Sequence, residues 1–158
     1  MKGFTLIETI LYIALMGLIL STVFVGSYDL IQESQKRSIG TTLQEEGLFV
    51  VRKLDWAMHG MTVTPTVGGS TCDGTLTLTP GGAADPVIFR KHGSAIEMCE
   101  DSTCTYTPIT TNNVSVTCFN VSAIAASGSG PAGVAITATM ESPTAKSQDF
   151  TITRYVRQ

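Results

Sequence analysis

Proline is absent from this chain of 158 residues until Pro65, so nothing before that point forces a helix to end. Leucine is nearly absent from the other part: nine occur in residues 1–60 and only Leu76 and Leu78 follow. Basic runs are missing as well, and with a net charge of −3 no aromatic–basic interleaving offers a phosphate-binding stripe. Direct nucleic-acid binding is therefore not indicated. Histidine is confined to His59 and His92, two isolated positions that read as ordinary helix and strand residues. No serine is framed by a nucleophile motif, so nothing points to an enzyme. Glu100 and Asp101 with Asp73 and Asp85 do not follow a Ca²⁺-loop pattern and read as solvated turns. No metal site and no cofactor is expected.

What the chain does have is sharply divided. Eighteen of its 23 threonines lie after residue 60, opposite to leucine. Leucine favours helix and threonine favours strand, so a helical first third and a β-rich remainder are expected. Residues 4–26 hold sixteen apolar side chains and one charge, Glu8. As a helix this segment is about 35 Å long, enough for a bilayer core of about 30 Å. A secretory signal peptide would have a shorter apolar core and no acid within it. Lys2, the only charge ahead of the span, favours a cytoplasmic Met1 and an extracytoplasmic remainder.

Beyond Gly26 the apolar residues thin out and then return at Leu43, Gly47, Val50, Val51, Leu54 and Met58, the spacing of one helical face. Glu33 with Arg37 and Asp55 with His59 stand four apart and are expected to pair along the exposed side. The reading is a single helix over about residues 4–60. Its first half is transmembrane (4–26) and its second half amphipathic (27–60), with 27–42 polar enough to stand exposed. Trp56 reads as a packing residue.

Residues 61–158 alternate in the β manner. Strands are predicted at 61–67, 75–79, 86–91, 95–99, 105–107, 114–121, 134–140 and 149–156. Gly68-Gly69, Gly81-Gly82, Asn112-Asn113 and Gly128-Ser129-Gly130-Pro131 are read as the turns between them. An antiparallel sheet with one wet face would cover the amphipathic helix, which gives an α+β fold. Cys72, Cys99, Cys104 and Cys118 all fall in this part, an even number consistent with an oxidising compartment. Three pairings are possible. Cys99–Cys104 with Cys72–Cys118 is favoured, because residues 99–104 can close a tight turn. A metal site and free buried thiols are the competing readings.

The informative constellation is Gly3-Phe4-Thr5-Leu6-Ile7-Glu8, followed at once by the apolar run. A carboxylate inside a membrane span costs about 2.5–3.5 kcal/mol on insertion scales, so Glu8 needs a partner. Cutting between Gly3 and Phe4 would create an α-ammonium that Glu8, of the same or a neighbouring chain, could pair with. These residues resemble the prepilin signature of type IV pilins and type II secretion pseudopilins. The resemblance implies a leader, residues 1–3, removed by a prepilin peptidase after Gly3, and N-methylation of Phe4. It implies subunit docking through Glu8, with Gly17 resembling a common helix glycine. Residues 43–56, 108–117 and 149–157 are similar, more loosely, to the J-type pseudopilin subgroup.

The implied fold is the pilin type, a long helix with a β-rich head at 61–158. The implied location is the bacterial inner membrane and then a pilus or pseudopilus, with other pilin or pseudopilin subunits, the peptidase and the membrane as partners. Val25 stands where many major pilins have proline, which favours a minor subunit. The alternative is a membrane-tethered extracytoplasmic binding module that does not polymerise.

Overall fold

The computed structural model describes residues 5–59, 64–79, 86–101, 103–127, 130–144 and 146–156. Two compact units divide the chain, one ending at Ser38 and one beginning at Ile39. Helix α1 spans Leu6–Met58. Eight strands follow: β1 Thr66–Gly69, β2 Gly74–Leu78, β3 Val87–His92, β4 Ala95–Cys99, β5 Thr107–Pro108, β6 Ser115–Ile124, β7 Gly133–Glu141 and β8 Ser147–Tyr155. The class is α+β, with an apolar helix and antiparallel strands.

The strands form two sheets where a single one was expected. One has five strands in the order β1-β2-β3-β4-β5, the other three in the order β6-β7-β8, and neighbours pair antiparallel throughout. The sheets meet at the start of β2. There Asp73 bridges Phe119, Phe119 N–H donates to the Cys72 carbonyl at 2.9 Å, and a disulfide joins Cys72 to Cys118. Val116 N–H also donates to the Ser94 carbonyl at 2.8 Å.

A bulge in β6 makes this junction possible. The register to β7 slips between Val116 and Cys118, leaving Thr117 out of the ladder with its hydroxyl on the Thr139 carbonyl at 3.2 Å. Before the slip the buried residues are even-numbered, Val114 and Val116; after it they are odd, Phe119 and Val121. One inserted residue thus reverses which parity faces inward.

In the second unit, residues 39–58 of α1 bury Leu43, Gly47, Val50, Leu54, Ala57 and Met58, with Val51 half-covered. This stripe packs with Leu76, Leu78, Phe89, Ile96, Phe119, Val134, Ile136, Met140 and Phe150 in one core. Strand alternation supplies the other side: β2 and β7 each bury every second residue. Gly47 is required for the closest approach, since a Cβ there would fall inside the Phe150 ring of β8.

Several local expectations change. Gly68-Gly69 belongs to β1, and the turn comes later, closed by Asp73 N–H on the Ser70 carbonyl. The strand expected at 105–107 is the two-residue β5. Asp55 pairs with Arg154 of β8, whose Nε lies 2.6 Å from Oδ1, and not with His59. A forked guanidinium reaching from the sheet offers two donors where an imidazole on the same helix offers one. Glu33 and Arg37 do pair, at 3.3 Å. The Gly81-Gly82 turn, residues 61–63 of the first expected strand and Gly128-Ser129 lie outside the described residues.

Gly47→Ala should destabilise the head by about 1–3 kcal/mol through overpacking, despite alanine's better helix propensity. A Phe150→Leu background should recover part of that loss, read as a coupling energy in a denaturation double-mutant cycle. Removing Cys72–Cys118, which closes a loop of 46 residues, should cost about 4 kcal/mol. Removing Cys99–Cys104, which spans 5, should cost about 2 kcal/mol in the same denaturation assay.

Candidate functional site

The first unit is a helix without a core. Thr5 begins it: its carbonyl accepts from the N–H groups of Glu8 at 3.0 Å and Thr9 at 3.3 Å. Apolar side chains then face outward on every side, among them Leu6, Ile7, Ile13, Leu18 and Phe24, and none of the apolar stretch is buried within the protein. This single helix is long and apolar enough to cross a membrane. A core helix of similar composition would be covered by its own protein.

Four hydroxyls of this stretch are satisfied internally. The hydroxyls of Thr9, Ser21, Thr22 and Ser27 donate to the carbonyls of Leu6, Leu18, Ile19 and Val23, each at 2.8 Å. In hydrocarbon no water can replace such bonds, so the arrangement suits a lipid environment. Composition alone would count these four residues against the span; a hydroxyl on a helix can reach the backbone carbonyl three or four residues earlier, which reverses this. Gly17 is open, with nothing near a hypothetical Cβ.

Glu8 remains as the one charge between Leu6 and Tyr28. It sits in the first turn, where a carboxylate favours the positive end of the helix dipole. It is half-buried by its own helix, and no ion pair reaches it among the described residues. Gly3 and Phe4, the expected cleavage and methylation positions, lie outside the described residues.

In the head the four cysteines form two disulfides, Cys72–Cys118 and Cys99–Cys104, with Cα separations of 4.3 and 5.2 Å. Within the smaller loop the Thr103 hydroxyl donates to Asp101 at 2.8 Å and, with backbone N–H groups, holds that carboxyl below its ordinary value. Asp73 is paired with Lys91 at 2.7 Å. Glu97 is held between Arg90 at 2.9 Å and His92 at 3.3 Å, and the Arg90 guanidinium lies 3.4 Å from the Tyr106 ring centroid. The Arg90–Glu97–His92 group ties β3 to β4, and the Asp73–Lys91 pair ties the start of β2 to β3. No three metal-ligating side chains converge among the described residues.

Trp56 differs from expectation. It is 57% exposed, with Lys53 Nζ 5.3 Å from its ring centroid, because position 56 falls off the buried stripe of Leu54, Ala57 and Met58. A cleft of about 380 Å³ is lined by polar residues, among them Ser94, Asn112, Asn113 and Glu141, together with Val114 and Pro143.

Thr103→Ala should raise the Asp101 pKa toward the ordinary carboxylate value, as read by NMR titration of that carboxyl. The sign follows from the lowered folded-state pKa. The contribution to stability is present above the unfolded carboxylate value and is lost as pH falls through the folded one. In the variant the contribution should be smaller and its loss should be complete at a higher pH.

No family model, curated protein or solved structure matched this chain, so the N-terminal motif and the geometry above carry the functional argument.

Proposed function

We propose that this chain is a structural subunit, a minor pilin or pseudopilin, of a type IV pilus or type II secretion pseudopilus. A prepilin peptidase cuts after Gly3, Phe4 is methylated, and the helix anchors the subunit in the bacterial inner membrane until it is drawn into a filament. Assembly proceeds through helix packing and Glu8. The protein itself performs no chemistry.

The observation that carries this reading is one acid in the otherwise uncharged, uncovered apolar stretch of α1 between Leu6 and Tyr28, where four hydroxyls are already bonded to their own backbone. A plain tether has no use for a carboxylate that lipid must accommodate at a cost of about 2.5–3.5 kcal/mol. A neighbouring subunit's free ammonium at Phe4 supplies the compensation and sets the axial register. The cleft bordered by Glu141 favours a second reading, a tethered binding module that never polymerises.

Mass spectrometry of the mature protein separates the two. The subunit reading expects a chain that begins at an N-methylated Phe4; a working protein that retains Met1 to Gly3 overturns it. Glu8→Ala should still insert into the membrane but should be absent from sheared filaments. Incorporation at wild-type level would remove Glu8 from the docking role.

A further inference from the structure

Opposite the buried stripe of α1, the head carries a line of side chains that is not an ordinary wet face. Glu45, Phe49, Arg52 and Trp56 follow one another at steps of four, three and four residues. This is the seam spacing of parallel packed helices. Phe49 and Trp56 are about half exposed, as is Leu48 beside them. Glu45 and Arg52 are exposed, and neither has a hydrogen bond or ion pair among the described residues.

The line is complementary to itself. Charge and ring alternate along it, with the acid first and the base seven residues later. Glu46 and Lys53 repeat that interval, and Lys53 Nζ lies 5.3 Å from the Trp56 ring centroid. A hollow of about 290 Å³ opens beside Glu45 and Phe49, lined also by Thr42, Glu46, Ile109 and Thr111. The acidic end thus has a hollow, and the basic end has an exposed indole.

We propose that this line packs against the same line of a second copy, parallel and displaced by seven residues, about 10 Å along the helix. In that register Arg52 of one copy meets Glu45 of the other, and Lys53 lies level with Glu46. Trp56 lies level with Phe49, at the mouth of the hollow. The aromatic contact supplies most of the attraction, since exposed ion pairs contribute little. The charges choose the register. Without displacement, Glu45 faces Glu45 and Arg52 faces Arg52. A shift of three or four residues leaves the acid against a ring. An antiparallel pair also matches Glu45 with Arg52, but it reverses α1 between the copies, which two apolar stretches crossing one membrane do not allow. The inference rests on the subunit reading. Two chains at equal depth in a bilayer set like charges together; drawing one outward ahead of its neighbour brings unlike charges together.

The test uses the full-length chain in native membranes and in sheared filaments, with the mature N-terminus read by mass spectrometry on the same samples. Cells carry two versions of the chain, one of them tagged. Phe49→Cys with Trp56→Cys should give a mixed disulfide dimer in filaments on mild oxidation. Phe49→Cys with itself, or Trp56→Cys with itself, should not, because like positions stand about 10 Å apart along the axis. An antiparallel pair would not join 49 to 56. In the mixed background, Glu45→Arg and Arg52→Glu should each lower the yield about fivefold, and both together in every chain should restore it. Seven residues along one helix keep these side chains out of reach within a chain, so the rescue arises between chains. Intact Cys72–Cys118 and Cys99–Cys104 by non-reducing peptide mapping would show that each variant folds. Equal cross-linking of like and unlike pairs, failure of the double reversal to rescue, or cross-linking of Trp56→Cys only to a different protein would overturn the proposal. A chain that begins at methylated Phe4 but gives no mixed dimer sinks this contact and leaves the subunit reading standing. A working chain that keeps Met1 to Gly3 sinks that reading and this contact with it.

Discussion

Phe150 reaches from β8 to the one position in the buried helix stripe that has no side chain, Gly47, and the head is arranged around that contact. Any larger residue at 47 would meet the ring, and any smaller one at 150 would leave a hole between helix and sheet. The neighbouring ties fall on either side of it. Leu43, Val50 and Leu54 flank the glycine along α1, and Arg154 holds Asp55. Glu46 accepts from both the N–H and the hydroxyl of Thr111, at 3.3 and 2.7 Å. These polar bonds lie at the rim, where exposed pairs contribute modestly. The apolar contact sets the spacing, and the rim bonds set the orientation.

A second constraint joins the sheets. β6 must present Phe119 and Val121 to the core and also bring Cys118 to Cys72. A regular strand that buries Val114 and Val116 would turn Phe119 and Val121 outward. Letting Thr117 drop out of the ladder resolves the conflict, and its hydroxyl finds the Thr139 carbonyl, so the irregularity leaves that side chain satisfied. The same chain region then links three things: the core, the disulfide and the junction of the five- and three-stranded sheets.

Helix α1 serves two different surroundings with one backbone. Residues 39–58 follow the stripe rule of a helix packed on one side, while the apolar residues nearer the N-terminus face outward all round. The four hydroxyls bonded back to their own helix fit a medium without water. Glu8 is the departure from that pattern, and a departure from local consistency is where function is expected to sit.

The α+β class, the single helix and its buried face were legible because they rest on period and composition, which are local. Leu43, Gly47, Val50, Leu54 and Met58 repeat at helical spacing, and Thr75-Leu76-Thr77-Leu78 alternates at strand spacing, whatever surrounds them. The Gly3-Phe4-Thr5-Leu6-Ile7-Glu8 motif is a property of the sequence alone. The division into two sheets, the Thr117 bulge and the loss of the Asp55–His59 pair to Arg154 were not legible there, since each is decided by a residue far along the chain; the exposure of Trp56 follows from helical spacing alone, which places it off the buried stripe. The ring that Gly47 accommodates stands at position 150, and the carboxylate of Asp55 is claimed from position 154. Local pattern determined which segments became helix or strand and which sides were apolar; only the folded head, by choosing contacts across a hundred residues, decided how those sides were matched.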